Sequence, residues 1–246
     1  MIFDFLRQHR TALPIFEVLG TDMHCHLLPK VDDGSSGLDE TIGCINTMKA
    51  CGFKKIICTP HFQYPRFPNT EEDIVQRHET LKRELAEKGV TIGMGNVSGE
   101  YRVDSGFAQR VENSKFLKLG DNYVLIEFSL HQQMMGLDET IFKLQMNGYN
   151  VILAHPERYP YMSLHSKAME QLKNQGVYFQ LNILSLNGFY GKNAMTKAYQ
   201  MIERGWVEFL GTDMHCDLYA KALINATHSR KIQKVLETHT FMNSEL

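Results

Sequence analysis

Histidines and carboxylates are the side chains in this chain whose spacing could do chemistry. Asp22-Met23-His24-Cys25-His26 sets two histidines two positions apart, and Thr212-Asp213-Met214-His215 repeats the interval with a carboxylate and a histidine. In extended backbone, residues i and i+2 point the same way, so His24 with His26, and Asp213 with His215, could each grip one cation. Asp33, His61, Glu100, Glu127 and His155 are further candidates. A histidine–carboxylate set without thiolate suits manganese, iron or zinc. Glu100 or Glu127 could bridge two cations and offset their mutual repulsion. Two close cations bring a shared water toward ionisation near neutral pH, and the resulting hydroxide could attack an ester in line.

Taken singly, each residue has a plainer explanation. His61 or His155 could be an ordinary hydrogen-bonded histidine, and Glu127 the point where a strand meets water. Asp213 could cap a helix, and Asp33 lies in an Asp-Asp-Gly turn signal. Position ties them together. Seven apolar runs read as buried strands, at 21–24, 55–59, 90–94, 123–127, 150–154, 177–181 and 207–211, and six of them lead into a His, Asp or Glu. In parallel α/β folds, sites are built at the carboxyl ends of strands. Cys25 and Cys216 fall between the alternating positions and read as structural. Asp22, on the face of His24, is a candidate for orienting a ligand.

The elements between the strands are helical. Residues 38–50 turn Leu38, Ile42, Ile45 and Met48 to one side. Residues 70–88 open with Thr-Glu-Glu-Asp and carry Ile74, Val75, Leu81 and Leu85 inward. Helices are also expected at 137–146, 166–174, 192–203 and roughly 218–237. Alternation of strand and helix without a linker predicts one α/β domain over residues 1–246, with a barrel as the natural closure, although a doubly wound open sheet has the same local pattern. No Gly-x-Gly-x-x-Gly or Walker loop follows a strand. The 26 basic and 28 acidic residues give a net charge of −2, which argues against nucleic acid as a partner. No apolar run approaches the ~20 residues that span a bilayer, so the chain is not expected to insert in a membrane. Five cysteines without a CxxC pair, and a start without signal-peptide order, predict a cytoplasmic protein with reduced thiols. No cysteine is followed six positions later by arginine, which speaks against a phosphocysteine route.

Taken in order, His-x-His, Asp-Asp-Gly, Thr-Pro-His, Gly-Glu, Leu-Ile-Glu-Phe, Ala-His-Pro-Glu-Arg and Thr-Asp-Met-His resemble the polymerase-and-histidinol-phosphatase (PHP) superfamily. Within it, the pattern is similar to the manganese-dependent protein-tyrosine phosphatases of bacterial capsular and exopolysaccharide operons. The resemblance runs from about residue 20 to about residue 218. It implies a distorted, TIM-barrel-like (β/α)7 barrel and a trinuclear site, with manganese first and iron or zinc as alternatives. By this resemblance, His24, His26 and Asp213 hold a first metal, and Glu100 bridges to a second completed by Glu127 and His155. Asp33, His61 and His215 hold a third, and Asp32 is left out. Arg158 matches the family's phosphate-binding arginine, so Arg158, Glu100 and His155 are the residues expected at the reaction. The implied substrate is the phosphotyrosyl tail of a bacterial tyrosine kinase controlling polysaccharide export.

This sequence departs from the resemblance in two ways. No arginine follows Asp-Met-His within a few residues, so Lys221, or Arg102 after Glu100, is the candidate second phosphate contact. Residues 1–20, with Phe3, Phe5, Leu6, Leu13, Ile15 and Phe16, precede the family's usual start and are expected to pack as a helix on the barrel or on a partner subunit, which leaves a homo-oligomer open. The aromatic stretches 62–67 and 159–161 could wall a phenyl pocket or simply cover the rim. Competing readings are a small-molecule phosphatase such as a histidinol-phosphatase, a zinc amidohydrolase-like hydrolase, and a non-catalytic metal-binding module.

Overall fold

The computed structural model of the chain describes residues 11–104, 106–113, 115–131, 137–164 and 167–246. The strands are β1 (Thr21–Cys25), β2 (Lys55–Cys58), β3 (His61–Phe62), β4 (Gly93–Met94), β5 (Glu100–Arg102), β6 (Tyr123–Glu127), β7 (Asn150–Ala154), β8 (Tyr178–Asn182) and β9 (Phe209–Gly211). The helices are α1 (Leu38–Ala50), α2 (Glu71–Glu87), α3 (Phe107–Asn113), α4 (Leu137–Met146), α5 (Lys167–Asn174), α6 (Lys192–Glu203), α7 (Asp217–Thr227) and α8 (Arg230–Thr238). Every pairing between these strands is parallel. They fall into a sheet ordered β1-β2-β4 and a sheet ordered β3-β5-β6-β7-β8-β9.

The strands expected at 55–59 and 90–94 are β2 and the shorter β4, and each is followed by an unexpected short strand in the other sheet, β3 and β5. After β2 the chain reaches Pro60, which has no N–H to continue a ladder. His61 then starts β3 beside β5. Backbone hydrogen bonds nevertheless cross this seam, from Ser98 N to Cys58 O and from Glu100 N to Pro60 O, both 2.9 Å. At the other seam, Asp213 N donates to His24 O and His26 N to Met214 O, both 2.8 Å, and Cys25 bridges Met214 in parallel.

Along β6 to β9, residues alternate between two apolar surfaces, as the two-residue period of a strand requires. Val124, Ile126, Val151, Leu153, Phe179, Leu181 and Leu210 join the larger core with the helices. Leu125, Ile152, Ala154 and Phe209 turn the other way, onto a smaller core with Met23, Ile57, Leu119 and Leu246. Buried Asn243 fastens that side by binding Thr21 O and both the N–H and C=O of Leu210. Polar groups therefore collect where these inner rows reach the carboxyl ends of the strands.

Helix faces differ from expectation in detail. The buried side of α1 is Thr41, Cys44, Ile45 and Met48, with Leu38 and Ile42 only partly covered. In α2, Thr70 caps Asp73 N, but His78 is buried where Val75 was expected, and Val75 is exposed. The single C-terminal helix expected at 218–237 is two, because Ser229 caps Ile232 N and starts α8 afresh. Of the N-terminal segment, residues 1–10 lie outside the described residues. The rest is not an α-helix: Ile15–Val18 is a 3-10 turn that buries Phe16 against Phe53, ring centroids 5.4 Å apart.

Candidate metal centre

Buried backbone geometry at β1 sets two histidines face to face. The β1–β2 register shifts between Asp22 and Cys25. His24 and His26, both fully buried, bring their Nε2 atoms to 3.2 Å. Gln180 Oε1 accepts from Nδ1 of His24 and Asp32 Oδ2 accepts from Nδ1 of His26, each at 2.8 Å. Those bonds fix the ring protons on Nδ1 and leave two Nε2 lone pairs pointing at one spot. Glu100 Oε2 and Asp213 Oδ1 face the same spot, 3.4–3.5 Å from both Nε2 atoms. Four acceptors converging without a donor is an arrangement that only a proton or a metal cation stabilises.

The remaining expected ligands extend this nest. Glu100 Oε1 lies 3.0 Å from His155 Nε2. His61 Nδ1 lies between Glu100 Oε2 (3.1 Å) and Glu127 Oε1 (3.2 Å), and its Nε2 lies 3.4 Å from Asp33 Oδ1. His215 Nε2 approaches the same Asp33 oxygen at 3.7 Å. His215 Nδ1 donates to the Asp213 carbonyl, 2.7 Å, which fixes its tautomer too. Four groups have ligand atoms within 4.8 Å of one another: His24/His26/Asp213, His24/Glu100/His155, His61/Glu100/Glu127 and His26/His61/His215. Asp213 and His215, which their spacing would let share a cation and the resemblance assigns to different ones, fall in different groups. All nine candidate residues belong to one connected cluster.

The donor set fits divalent cations. Ligand atoms around an ion with bonds near 2.0–2.2 Å lie about 3–3.5 Å apart, the spacing of the His24, His26, Glu100 and Asp213 atoms. His61 Nδ1, Glu100 Oε2, Glu127 Oε1 and His155 Nδ1 are buried without a hydrogen-bond partner, a costly state that a bound cation relieves at the first three. The electrostatics point the same way. Burial opposes charge on His24 and His26, yet the surrounding carboxylates prevail and hold both above the usual histidine range. Burial is likewise overridden at His61, pushed up to about 10 chiefly by Glu100. Burial would raise Glu100 and Asp213, but the histidines around them keep both well below the ordinary carboxylate range. His215 goes the other way, lowered by burial and by His26.

Asp22 does not orient His24 as its position suggested. It takes Thr212 N and Thr212 Oγ1, both at 2.8 Å, and so staples β1 to the turn carrying Asp213. Burial pushes its carboxyl up to about 7 against those bonds. Orientation comes instead from Gln180 and Asp32, neither of which sequence reasoning selected. Gln180 and Asn182 are polar at i and i+2 near the end of an apolar strand, a signal available in the sequence. Asp32 was passed over for its neighbour Asp33. Both His155 (φ 38°) and Asp213 (φ 52°) adopt left-handed backbone, unusual for residues with a Cβ and frequent at functional sites.

A cavity of about 290 Å³ opens above the cluster, lined by Asp33, His61, Glu100, Glu127, His155, Asp213 and His215, together with Arg102, Arg158 and Tyr219. Arg158 donates from Nη1 to Asp213 Oδ2 (2.9 Å) and its guanidinium covers the Tyr190 ring at 4.2 Å. Asn182 Nδ2 (2.7 Å) and Tyr190 OH (3.1 Å) donate to the same oxygen, leaving Oδ1 to the histidines. Arg102 also lines it, with Nε 3.2 Å from Glu127 and Nη1 on Phe128 O. Lys221, the other candidate contact, does not line this cavity: it is exposed on α7. Two residues on a helix diverge by roughly 200°, so the turn that brings Tyr219 against His215 carries Lys221 away. Cys216, expected to face elsewhere, does reach the cavity wall. Of the aromatic stretches, Phe67 stacks on His61 and Tyr159 is buried with its hydroxyl on Ala154 O, so both serve the rim.

Fold and site together define a class: parallel α/β proteins with a buried histidine–carboxylate cluster at the strand ends, a donor set suited to divalent metal ions. Over residues 20–242 the chain matches the capsular polysaccharide synthesis CpsB/CapC family, and it belongs to that family. It is 26% identical over 196 residues to the tyrosine-protein phosphatase YwqE of Bacillus subtilis, covering 79% of this chain and 76% of the relative. It is 25% identical over 240 residues to the tyrosine-protein phosphatase CpsB of Streptococcus agalactiae, covering 89% and 98%. Among solved structures, one described as YwqE from Bacillus subtilis and CpsB from Streptococcus pneumoniae, unique metal-dependent tyrosine phosphatases, is similar with a TM-score of 0.75 at 23% identity, over 90% of this chain and 96% of that one. A histidinol phosphate phosphatase from Lactococcus lactis, complexed with zinc, L-histidinol and phosphate, is similar at 0.53 and 16% identity, over 90% and 95%. These structural likenesses concern the fold. Among the described residues no helix is long and apolar enough to cross a membrane.

Proposed function

We propose that this chain is a metal-dependent protein-tyrosine phosphatase acting in capsular or exopolysaccharide synthesis, on the phosphotyrosyl tail of a bacterial tyrosine kinase. The observation that carries the chemistry is the meeting of His24 Nε2 and His26 Nε2 at 3.2 Å between two carboxylates, with both Nδ1 protons already committed. The family's part in capsular polysaccharide synthesis and the names of the relatives support the substrate. The two sheets, joined by hydrogen bonds at both seams, support reading them as one distorted (β/α)7 barrel in a single domain. A cytoplasmic location goes with this reading, since the kinase tail would be met there.

His24, His26, Asp213 and Glu100 would hold one cation, Glu100 with Glu127 and His155 a second, and Asp33, His61 and His215 a third, with manganese first and iron or zinc as alternatives. Bound there, divalent cations supply Lewis-acid polarisation of phosphoryl oxygens and water acidic enough to ionise near neutral pH. The chain's own groups do the rest. Arg158, on the cavity wall, offers N–H groups not spent on Asp213 to the phosphoryl oxygens, and Arg102, which also lines the cavity, is the second contact. The stack on Tyr190 and the bond to Asp213 hold the Arg158 guanidinium flat and charged. A tyrosyl oxygen, of pKa about 10, departs without a strong general acid. The test is metal analysis of purified protein joined to a phosphotyrosyl-peptide assay, wild type against His155→Ala. Bound divalent metal with turnover in the wild type, lost in the variant, is expected. Turnover of histidinol phosphate or of an amide or lactone, with phosphotyrosyl peptide untouched, would overturn the reading.

A further inference from the structure

The metal cavity, about 290 Å³, has room for a phosphoryl group and its ring but not for the polypeptide bearing them. A second cleft of about 710 Å³ adjoins it, and Arg158 and Leu130 line both. That volume is typical of ligand-binding clefts. One wall is the segment after β7, with Pro160, Met162 and Leu164, and the other is a face of α6. On that face Lys192, Asn193, Thr196 and Gln200 recur at helical spacing, all exposed, and none makes a side-chain hydrogen bond or ion pair within the described residues.

Lys197, on the same face, ties the two walls together. Its Nζ donates to the carbonyls of Tyr159 (2.5 Å), Met162 (2.9 Å) and Pro156 (3.4 Å). Burial lowers it to about 8, which leaves it charged at neutral pH. The cleft is thus a built feature with a fixed width, next to the arginine that faces the phosphate. Among the described lining residues Arg158, Lys192 and Lys197 stand against Glu157, which is buried, gives Oε1 to Asn182 N and Ser185 Oγ and keeps Oε2 without a partner. Arg158 is paired with Asp213 and Lys197 with carbonyls, so Lys192 is the cation left open to a ligand. The amides of Asn193 and Gln200 each offer a donor and an acceptor, which matches the paired N–H and C=O groups of an extended backbone.

We propose that this cleft binds the polypeptide flanking the phosphotyrosine and selects acidic residues there, an inference that rests on the phosphatase reading above. The test compares kcat/KM for three substrates on manganese-loaded protein: a phosphotyrosyl peptide with acidic flanks, the same peptide with lysine flanks, and free phosphotyrosine. Wild type favours the acidic peptide. In the double variant Lys192→Glu/Gln200→Glu, both positions being exposed, the ratio of acidic peptide to free phosphotyrosine falls roughly tenfold and the preference shifts toward lysine flanks. An unchanged ratio, or an equal fall for all three substrates, overturns the cleft assignment while leaving the phosphatase reading intact. No turnover of any of the three by the wild type overturns that reading and this inference with it.

Discussion

Asp32 and Gln180 decide which nitrogen of His26 and His24 faces the cluster, and they are themselves outside it. A carboxylate or amide oxygen on Nδ1 fixes the tautomer and raises the basicity of Nε2, and losing such a partner typically costs 10–100-fold in metal affinity. Asp32→Ala and Gln180→Leu are each expected to lower manganese affinity by about that factor, read by competition with a chelator, although every expected ligand remains. Arg158→Lys tests a different function. Lysine can keep a charge near Asp213 but loses the planar fork, so kcat/KM for phosphotyrosyl peptide is expected to fall about a hundredfold with metal content unchanged. The members of the cluster were legible in the sequence because strand-end position and i, i+2 spacing are written there. Tyr190 was not, because its role comes from a contact between separate segments, meeting Asp213 across 23 positions, while Asp32, six positions from His26, and Tyr219, on the helix after His215, were near enough in sequence but carried no spacing signal of their own.

At the scale of elements, the carboxyl ends of the strands have to approach one another closely enough for their side chains to meet in one cluster. Gly211, the last residue of β9, makes this approach possible: a Cβ there would lie 2.7 Å from His24 Cβ and 2.8 Å from Gln180 Nε2. Gly211→Ala is expected to destabilise the metal-free protein by about 1–3 kcal/mol and to weaken metal retention, measured by denaturant unfolding and by chelator competition. Unaltered retention would mean that β9 does not set the spacing. The strands β6 and β7 and the helices α1, α4 and α6 were read from the sequence with their observed bounds, since each is a clean apolar run or a clear helical period. The β2–β5 region was not, because Pro60 and short runs of two or three residues divide it between sheets by tertiary hydrogen bonding. The break between α7 and α8 was missed for a local reason, the Ser229 cap within a continuous helical pattern.

For the whole molecule, the cluster links metal, protons and stability. In metal-free protein His61 titrates near 10 in the fold against about 6.5 unfolded, and His24 and His26 shift the same way. A raised pKa means that the stability contributed by these protons is complete below about pH 6.5 and is lost as pH rises toward 10. Glu100 and Asp213 are shifted down, so their contribution is present above about pH 4.5 and is lost in acid. Chelator-stripped protein should therefore be most stable between about pH 5 and 6.5, with a Tm that declines toward pH 10. Cations displace those protons on binding, so the manganese-loaded protein should lack the alkaline decline. A stripped protein whose Tm stays flat from pH 6.5 to 10 would contradict the electrostatic account of the cluster.

The central claim is that nine side chains hold divalent cations for phosphotyrosine hydrolysis. Manganese titration of chelator-stripped protein, followed by the rate of phosphate release from a phosphotyrosyl peptide, tests it most directly. The account predicts no activity before metal is added and a rise that saturates when two or three equivalents are bound. Hydrolysis that persists in the stripped protein, or none at any level of manganese, iron or zinc, would contradict it.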